Sequence, residues 1–390
     1  MKAFVLKYKY SHIWLFINIF ALILYISCRT NRVWMNILTR KFTGPLQIFL
    51  GRLCSRVNIS VMEILTASAV LIAIIYIIKN IIIIIKADGQ ENQTRRNKIK
   101  WRLQKSYIAI LRGLCAFLSV QALFCLMWGV NFWADSFQDC SGLYARPVSI
   151  EDLKAVTGYF AENLSKSADN NAITRDENGV FTVPREYILD KAPEIYDNIE
   201  KIYPFLEFQD IGVKPMIFSR LMSRMDFTGF YCSYTGEANV NIDSPACLLP
   251  STCAHEMAHQ RGFASEQECN FLAVLACVTS GDPVYTYSGY LMGYIYLGNA
   301  LYETDPDAYR AIRDILPDTV RADLRANSIY WEQFHNTIIK SVSTKVYDGI
   351  LKSYGDDRGI RSYGAMVDLL IAYYGGEALN NYNYNQEAAD

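Results

Sequence analysis

The sequence predicts an α+β, mostly helical soluble domain carried behind an N-terminal bundle of three transmembrane helices. Three observations predict it. Charge is divided along the chain: residues 1–133 hold 18 Lys and Arg against 3 acidic side chains, and residues 134–390 hold 20 against 36. The net charge of −1 is therefore the sum of a +15 part and a −16 part. Long uncharged apolar runs occupy only the basic part. In the acidic part, short β-type runs come first and helical patterns follow, the order of an α+β fold. Near-neutrality alone would exclude a globally basic nucleic-acid binder and an acidic disordered protein, but the total is a sum over two unlike parts and says nothing about partners; no nucleic-acid partner is expected. A hydrophobic share of 51% in 390 residues is high for one globule.

The membrane domain, residues 1–133, is expected to have spans at 13–28, 61–85 and 107–133. The first is short but carries Trp14 and Tyr25 at its two ends, where amphipathic rings sit at a bilayer interface. The second is broken only by Glu63 at its start and Lys79 near its end, and the third only by Arg112. Sidedness follows from Lys and Arg. Residues 86–105, with Lys86, Arg95, Arg96, Lys98, Lys100, Arg102 and Lys105, form a basic loop expected in the cytoplasm, as is the start with Lys2, Lys7 and Lys9. Three spans then place everything after Trp133 outside. The connection 29–58 disagrees, because it carries six basic residues on the expected outer side. Its alternation of apolar and basic residues suggests an interfacial amphipathic helix that covers part of the soluble domain. No small-x-small cleavage site follows the first span, so it is read as an anchor.

Residues 134–380 form the soluble domain, with a frayed tail at 381–390. Ser149-Ile-Glu-Asp starts a helix with Leu153, Val156, Tyr159 and Phe160 on one face. Residues 167–183 are polar, contain Asn178-Gly179 and read as a loop. Pro193 suits the first turn of a helix. Met216 to Ile242 is the best β region, with a turn at Thr235-Gly236. From Ser251 the chain is mostly helical, with breaks at Gly262, Asp282-Pro283, Pro306, Pro317 and Gly355–Gly359. The six cysteines of this domain show no CxxC spacing and no disulfide-framework density.

The stretch with chemistry is His255-Glu256-Met257-Ala258-His259. On a helix, positions i and i+4 share a face, so both imidazoles reach one metal, and Glu256 beside them can act as general base. Zinc needs a third protein ligand. Gly262 ends the first helix and a second starts near Ser265. Ser265-x-x-Glu268 reads as a capping box, which gives Glu268 a structural role. Glu266 has none and shares a face with Asn270, so Glu266 is favoured over Glu268. The expected site is thus His255, His259 and Glu266 around Zn²⁺, with Glu256 as the catalytic base.

HExxH followed by a helix with Glu-x-x-x-Asn resembles the gluzincin branch of zinc metallopeptidases. The resemblance implies that His255, His259 and Glu266 bind zinc, that Glu256 activates a zinc-bound water, and that Asn270 supports a ligand. The interval from His259 to Glu266 is shorter than in most gluzincins, and the third His of metzincins would fall at Ser265. Over nearly its full length the chain resembles an uncharacterised family of bacterial membrane proteins with three N-terminal spans and an HExxH ectodomain. The matching stretches are GFYCSYTGEANVN (229–241), HEMAHQRGFASEQECNFLA (255–273), YSGY (287–290) and SYGAMVDLLIAYY (362–374). The implied fold is a zincin-like ectodomain. Zincins set a β-strand beside the metal, here 228–233 or 238–242, where an extended substrate adds as a further strand. Glu237 and Asn239 are candidates for the cleft wall. His335, Tyr287 and Tyr363 are candidates for an oxyanion donor.

These readings converge on an inner-membrane zinc metallopeptidase, its catalytic domain extracytoplasmic, cutting a peptide or protein substrate outside the cytoplasm. The alternative is a zinc-stabilised envelope scaffold that cleaves nothing. Intramembrane proteolysis fits less well, because no 18-residue apolar run includes the motif.

Overall fold

The computed structural model describes residues 7–86, 94–146, 149–209, 211–334, 338–353 and 366–387. It is mostly helical, with one small three-stranded sheet. Three helices are long and apolar enough to cross a membrane: α1 (Lys9–Cys28), α4 (Val61–Ile85) and α5 (Arg95–Met127). Their large apolar side chains, such as Phe16, Phe20, Ile72, Ile77 and Phe117, point outward and are exposed. Apolar surface on that scale is covered by lipid or by another protein. The first two helices match the expected spans closely. The third differs at both ends. Residues 95–105 of the basic segment are helical, because Lys, Arg and Gln are good helix formers and simply extend the span; residues 87–93 lie outside those described. At the other end the helix stops at Met127, and Gly129–Trp133 form a 3₁₀ turn. Hydropathy cannot separate an apolar helix from the apolar turn that follows it.

The segment after α1 packs on the soluble domain, as its pattern suggested. It forms α2 (Arg32–Leu38) and α3 (Gly44–Cys54), joined by a π-helical turn at Thr39–Thr43. Pro45 donates no backbone hydrogen bond, which accounts for the irregular turn before it. Thr43 Oγ1 donates to the Leu126 carbonyl at 2.9 Å and Gln47 to that of Met127, so this segment caps the last turn of α5. Arg32 pairs with Asp135 at 2.8 Å and with Asp139, and Arg40 with Asp135 at 3.1 Å.

In the soluble domain α6 (Phe137–Ser141) and α7 (Ile150–Ala168) both open on capping boxes, at Ser136/Asp139 and Ser149/Asp152. The loop after α7 turns at Gly179, whose φ of +77° favours glycine. The stretch around Pro193 is three short pieces, not one helix: a 3₁₀ turn Ala192–Glu194, α9 (Asp197–Ile202, after α8 at Arg185–Lys191) and a second 3₁₀ turn Pro204–Leu206. Pro204 could not continue the helix. The β region also contains a helix, α10 (Ser219–Met225). Its preceding N–H groups, Ile217 and Phe218, each donate at 2.8 Å to the Glu63 carboxylate, a tertiary cap that local pattern cannot reveal.

The sheet runs β1 (Lys214–Pro215), β3 (Glu237–Val240), β2 (Gly229–Cys232), with β1 parallel and β2 antiparallel to β3. Against it packs α11 (Leu249–Gln260), which packs in turn on α12 (Glu266–Thr279) and α13 (Pro283–Thr304). Every residue of α12 from Glu266 to Cys277 is buried, so it is the central helix of the core. Gly293 lets α13 close against Phe160 of α7, where a Cβ would overlap the ring. Helices α14 (Pro306–Asp314), α15 (Asp318–Glu332), α16 (Ile338–Ser353) and α17 (Met366–Glu387) complete the domain. The last helix runs through residues expected to fray from 381, since propagation adds one bond per residue once a helix exists. The Gly355–Gly359 break lies outside the described residues. All ten cysteines are free thiols.

Candidate metal centre

Leu249–Gln260 carries Thr252, His255, Glu256 and His259 along one face, at the 3, 4 and 7 spacing of a helix stripe. Pro250 suits its first turn. Gly262, at φ +93°, reverses the chain after it. The central helix then begins at Glu266, whose side chain returns to both histidines. His255 Nε2 lies 3.2 Å and His259 Nε2 3.7 Å from the Glu266 oxygens. The ligating atoms of all three residues lie within 4.8 Å of one another. His255, His259 and Glu266 therefore form a cluster that could hold a metal ion.

Donors bound to zinc at about 2.1 Å in a tetrahedron stand roughly 3.4 Å apart, so the observed separations fit a shared ion. His259 Nδ1 is 2.7 Å from the Phe263 carbonyl oxygen, which puts the proton on Nδ1 and leaves Nε2 as a lone-pair donor facing Glu266. Burial, helped by His255, pushes the His259 pKa down to about 4, so this ring is neutral. His255 behaves differently. Burial opposes its protonation, but Glu266, Glu256 and Asn270 outweigh it and raise its pKa above the usual imidazole value. Asn270 thus stands beside His255.

The structure separates the two glutamates. Glu268 turns away from the histidines and accepts from the backbone N–H groups of Phe137 (3.0 Å) and Gln138 (3.2 Å), capping α6. The expected capping box does not form, since Ser265 makes no side-chain cap bond. Glu268 is structural, but through a contact 131 residues away in sequence.

Glu256 is buried against β2. A Cβ at Gly229 would overlap its carboxylate, and the Tyr231 backbone N–H supports the charged form. Burial dominates, the negative Glu266 adds to it, and the pKa is pushed up to about 8. A divalent cation nearby would draw it back down. Of the two β segments expected near the metal, β2 is the edge strand bordering Glu256. Glu237 and Asn239 do not line the cleft. Glu237 is buried in an ion pair with Lys214 at 2.6 Å, and Asn239 donates to backbone carbonyls of the sheet. Tyr287 is also elsewhere, bonded to Asp323 beside Arg175. His335 and Tyr363 lie outside the described residues.

A cavity of about 900 Å³ joins His255, Glu256 and Glu266 to Gly229–Tyr234 of the sheet. Two of its residues, Trp128 and Tyr296, were not foreseen, while Tyr231 falls in the 228–233 strand expected beside the metal. Trp128 packs edge-on to His259 with ring centres 5.6 Å apart, and Tyr231 stacks on it at 6.4 Å. Tyr296 of α13 faces the cavity near Glu266; burial and that charge push its pKa up, keeping it a neutral donor. Trp128 lay hidden in an apolar run, and nothing local separates Tyr296 from 26 other tyrosines.

Fold and site together define a membrane-associated, mostly helical protein with a His-His-Glu cluster, its His259 and Glu266 buried and its His255 partly so, that could hold a metal ion. The chain belongs to the family described as "Protein of unknown function (DUF3810)", which matches residues 39–371 and so takes in α4, α5 and the whole cluster. No curated protein and no solved structure matches the chain.

Proposed function

We propose that the protein is a membrane-anchored zinc metallopeptidase whose site lies outside the cytoplasm. The observation that carries this reading is the convergence of two imidazole Nε2 atoms and the Glu266 carboxylate beside a separate buried carboxylate, Glu256, under a sheet edge. Two nitrogens and one oxygen are a donor set suited to zinc. Zinc, when bound, would supply Lewis acidity, lowering the pKa of a water and polarising a carbonyl. Glu256 takes the proton of the attacking water and returns it to the leaving amine. Edge strand β2 orients the substrate backbone, and the Tyr296 hydroxyl donates to the carbonyl oxygen as charge builds there. A scaffold role would need no buried acid held apart from the three ligands.

The basic residues at 29–58 weigh less against this sidedness than their number suggests, since Arg32 and Arg40 are matched by Asp135 and Asp139. In the bacterial inner membrane, the basic start of α5 would face the cytoplasm and the soluble domain the envelope. The test is hydrolysis of a mixed peptide library by the zinc-loaded full chain. Glu256→Gln should keep its zinc and lose about 10²–10⁴-fold in rate. Full activity in that variant would exclude the mechanism, and zinc without any hydrolysis in the parent would favour the scaffold.

A further inference from the structure

The cavity that contains the cluster is walled on one side by the candidate spans themselves. Met62 and Thr66 of α4 and Phe124 of α5 line it together with Trp128, in the same cavity as His255 and Glu266. Thr66 is five residues into α4 and Phe124 three residues from the end of α5, about 7 Å and 5 Å along their axes. The sheet follows them. Tyr234, in the β2–β3 turn, donates to the Val120 carbonyl at 3.2 Å and packs on Phe124. Val120 lies about 10 Å from the end of α5. Phe230, which lines the cavity, is exposed, as are Ile217 and Phe218. Ile217 and Phe218 are fixed to the first turn of α4 through Glu63. The cluster, the sheet edge and an apolar rim thus sit at the level where α4 and α5 would leave a bilayer.

We propose that the substrate is a polypeptide held in the same membrane by an apolar anchor, and that it is cut in the segment next to that anchor. This rests on the peptidase reading. A polypeptide is favoured over a free lipid because β2 is a sheet edge, which recognises an extended backbone. A substrate arriving from solution needs no cavity wall made of membrane helices.

The experiment uses the full chain, zinc-loaded, in phosphatidylcholine vesicles. The probe is a randomised decapeptide mixture, supplied free in solution or fused behind a 20-residue Leu/Ala transmembrane segment. The anchored mixture is expected to be cut at least tenfold faster, with cuts clustered beside the anchor. Equal rates, or cuts spread evenly along the decapeptide, would overturn the proposal and leave the peptidase reading standing. Cleavage of neither form would remove both. A second readout needs no turnover. In the Glu256→Gln chain, a photo-reactive residue at Thr66 should trap the anchored mixture in preference to the free one. Equal trapping, or trapping of lipid alone, would contradict the proposal.

Discussion

Gly229 has a role that its sequence context does not show. Its missing side chain is the space into which the Glu256 carboxylate fits. Gly229→Ala is expected to cost about 1–3 kcal/mol through overpacking and to displace Glu256, so hydrolysis should fall while zinc content holds. A thermal melt and a zinc assay on one sample check both. The two glutamates of the central helix should separate just as cleanly. Glu266→Gln is expected to lose most zinc affinity. Glu268→Ala should keep zinc yet lose about 1–3 kcal/mol, because the Phe137 and Gln138 N–H groups lose their acceptor. The reverse pattern in titrations with zinc would reassign the third ligand. Tyr296→Phe removes one donor near Glu266. A fall of about 10²–10³ in kcat with KM little changed is expected, and an unchanged kcat would exclude that role.

Among the elements, the join between α4 and the sheet carries the most consequence. Glu237 of β3 accepts from the first N–H groups of α4, Val61 at 3.0 Å and Met62 at 2.9 Å, while pairing with Lys214. Lys214 also reaches the Cys54 and Ile59 carbonyls, at 2.7 and 3.0 Å. Glu63 of α4 returns the favour by capping the entry to α10. Two carboxylates, each holding the other side's backbone, make span and sheet one unit. Glu237→Ala leaves Lys214 buried without its carboxylate and should cost about 3–5 kcal/mol. Limited proteolysis is expected to cut first in 54–60 in that variant. Protection equal to the parent chain would argue that the clamp is dispensable. None of this was legible locally: Glu237 looks like a turn residue and Glu63 like a blemish in an apolar run. Legible were features that rest on period and local caps, such as the Ser149 box, the Gly262 stop and the i, i+4 histidines. Contacts between distant segments, including Glu268 with α6 and Trp128 with His259, needed the fold.

At the scale of the whole molecule, the charge division at residue 133 marks the place where α5 has ended and the acidic domain begins. The helix of the last span ends six residues before 133, at Met127, and two residues of the turn that follows, Trp128 and Phe132, line the cavity. Three candidate spans place the 29–58 segment and the soluble domain at the same end of the bundle, as their mutual contacts require. A reporter fused after residue 134 is expected to give an extracytoplasmic signal; a cytoplasmic one would invert the sidedness. The central claim is that one metal ion is held between α11 and α12 at the floor of the membrane-level cavity. Anomalous scattering at the zinc edge, from crystals of the full chain, tests it most directly. One peak is predicted, about 2.1 Å from His255 Nε2, His259 Nε2 and a Glu266 oxygen. A zinc-incubated crystal with no peak there, or with a peak ligated by other residues, would contradict it.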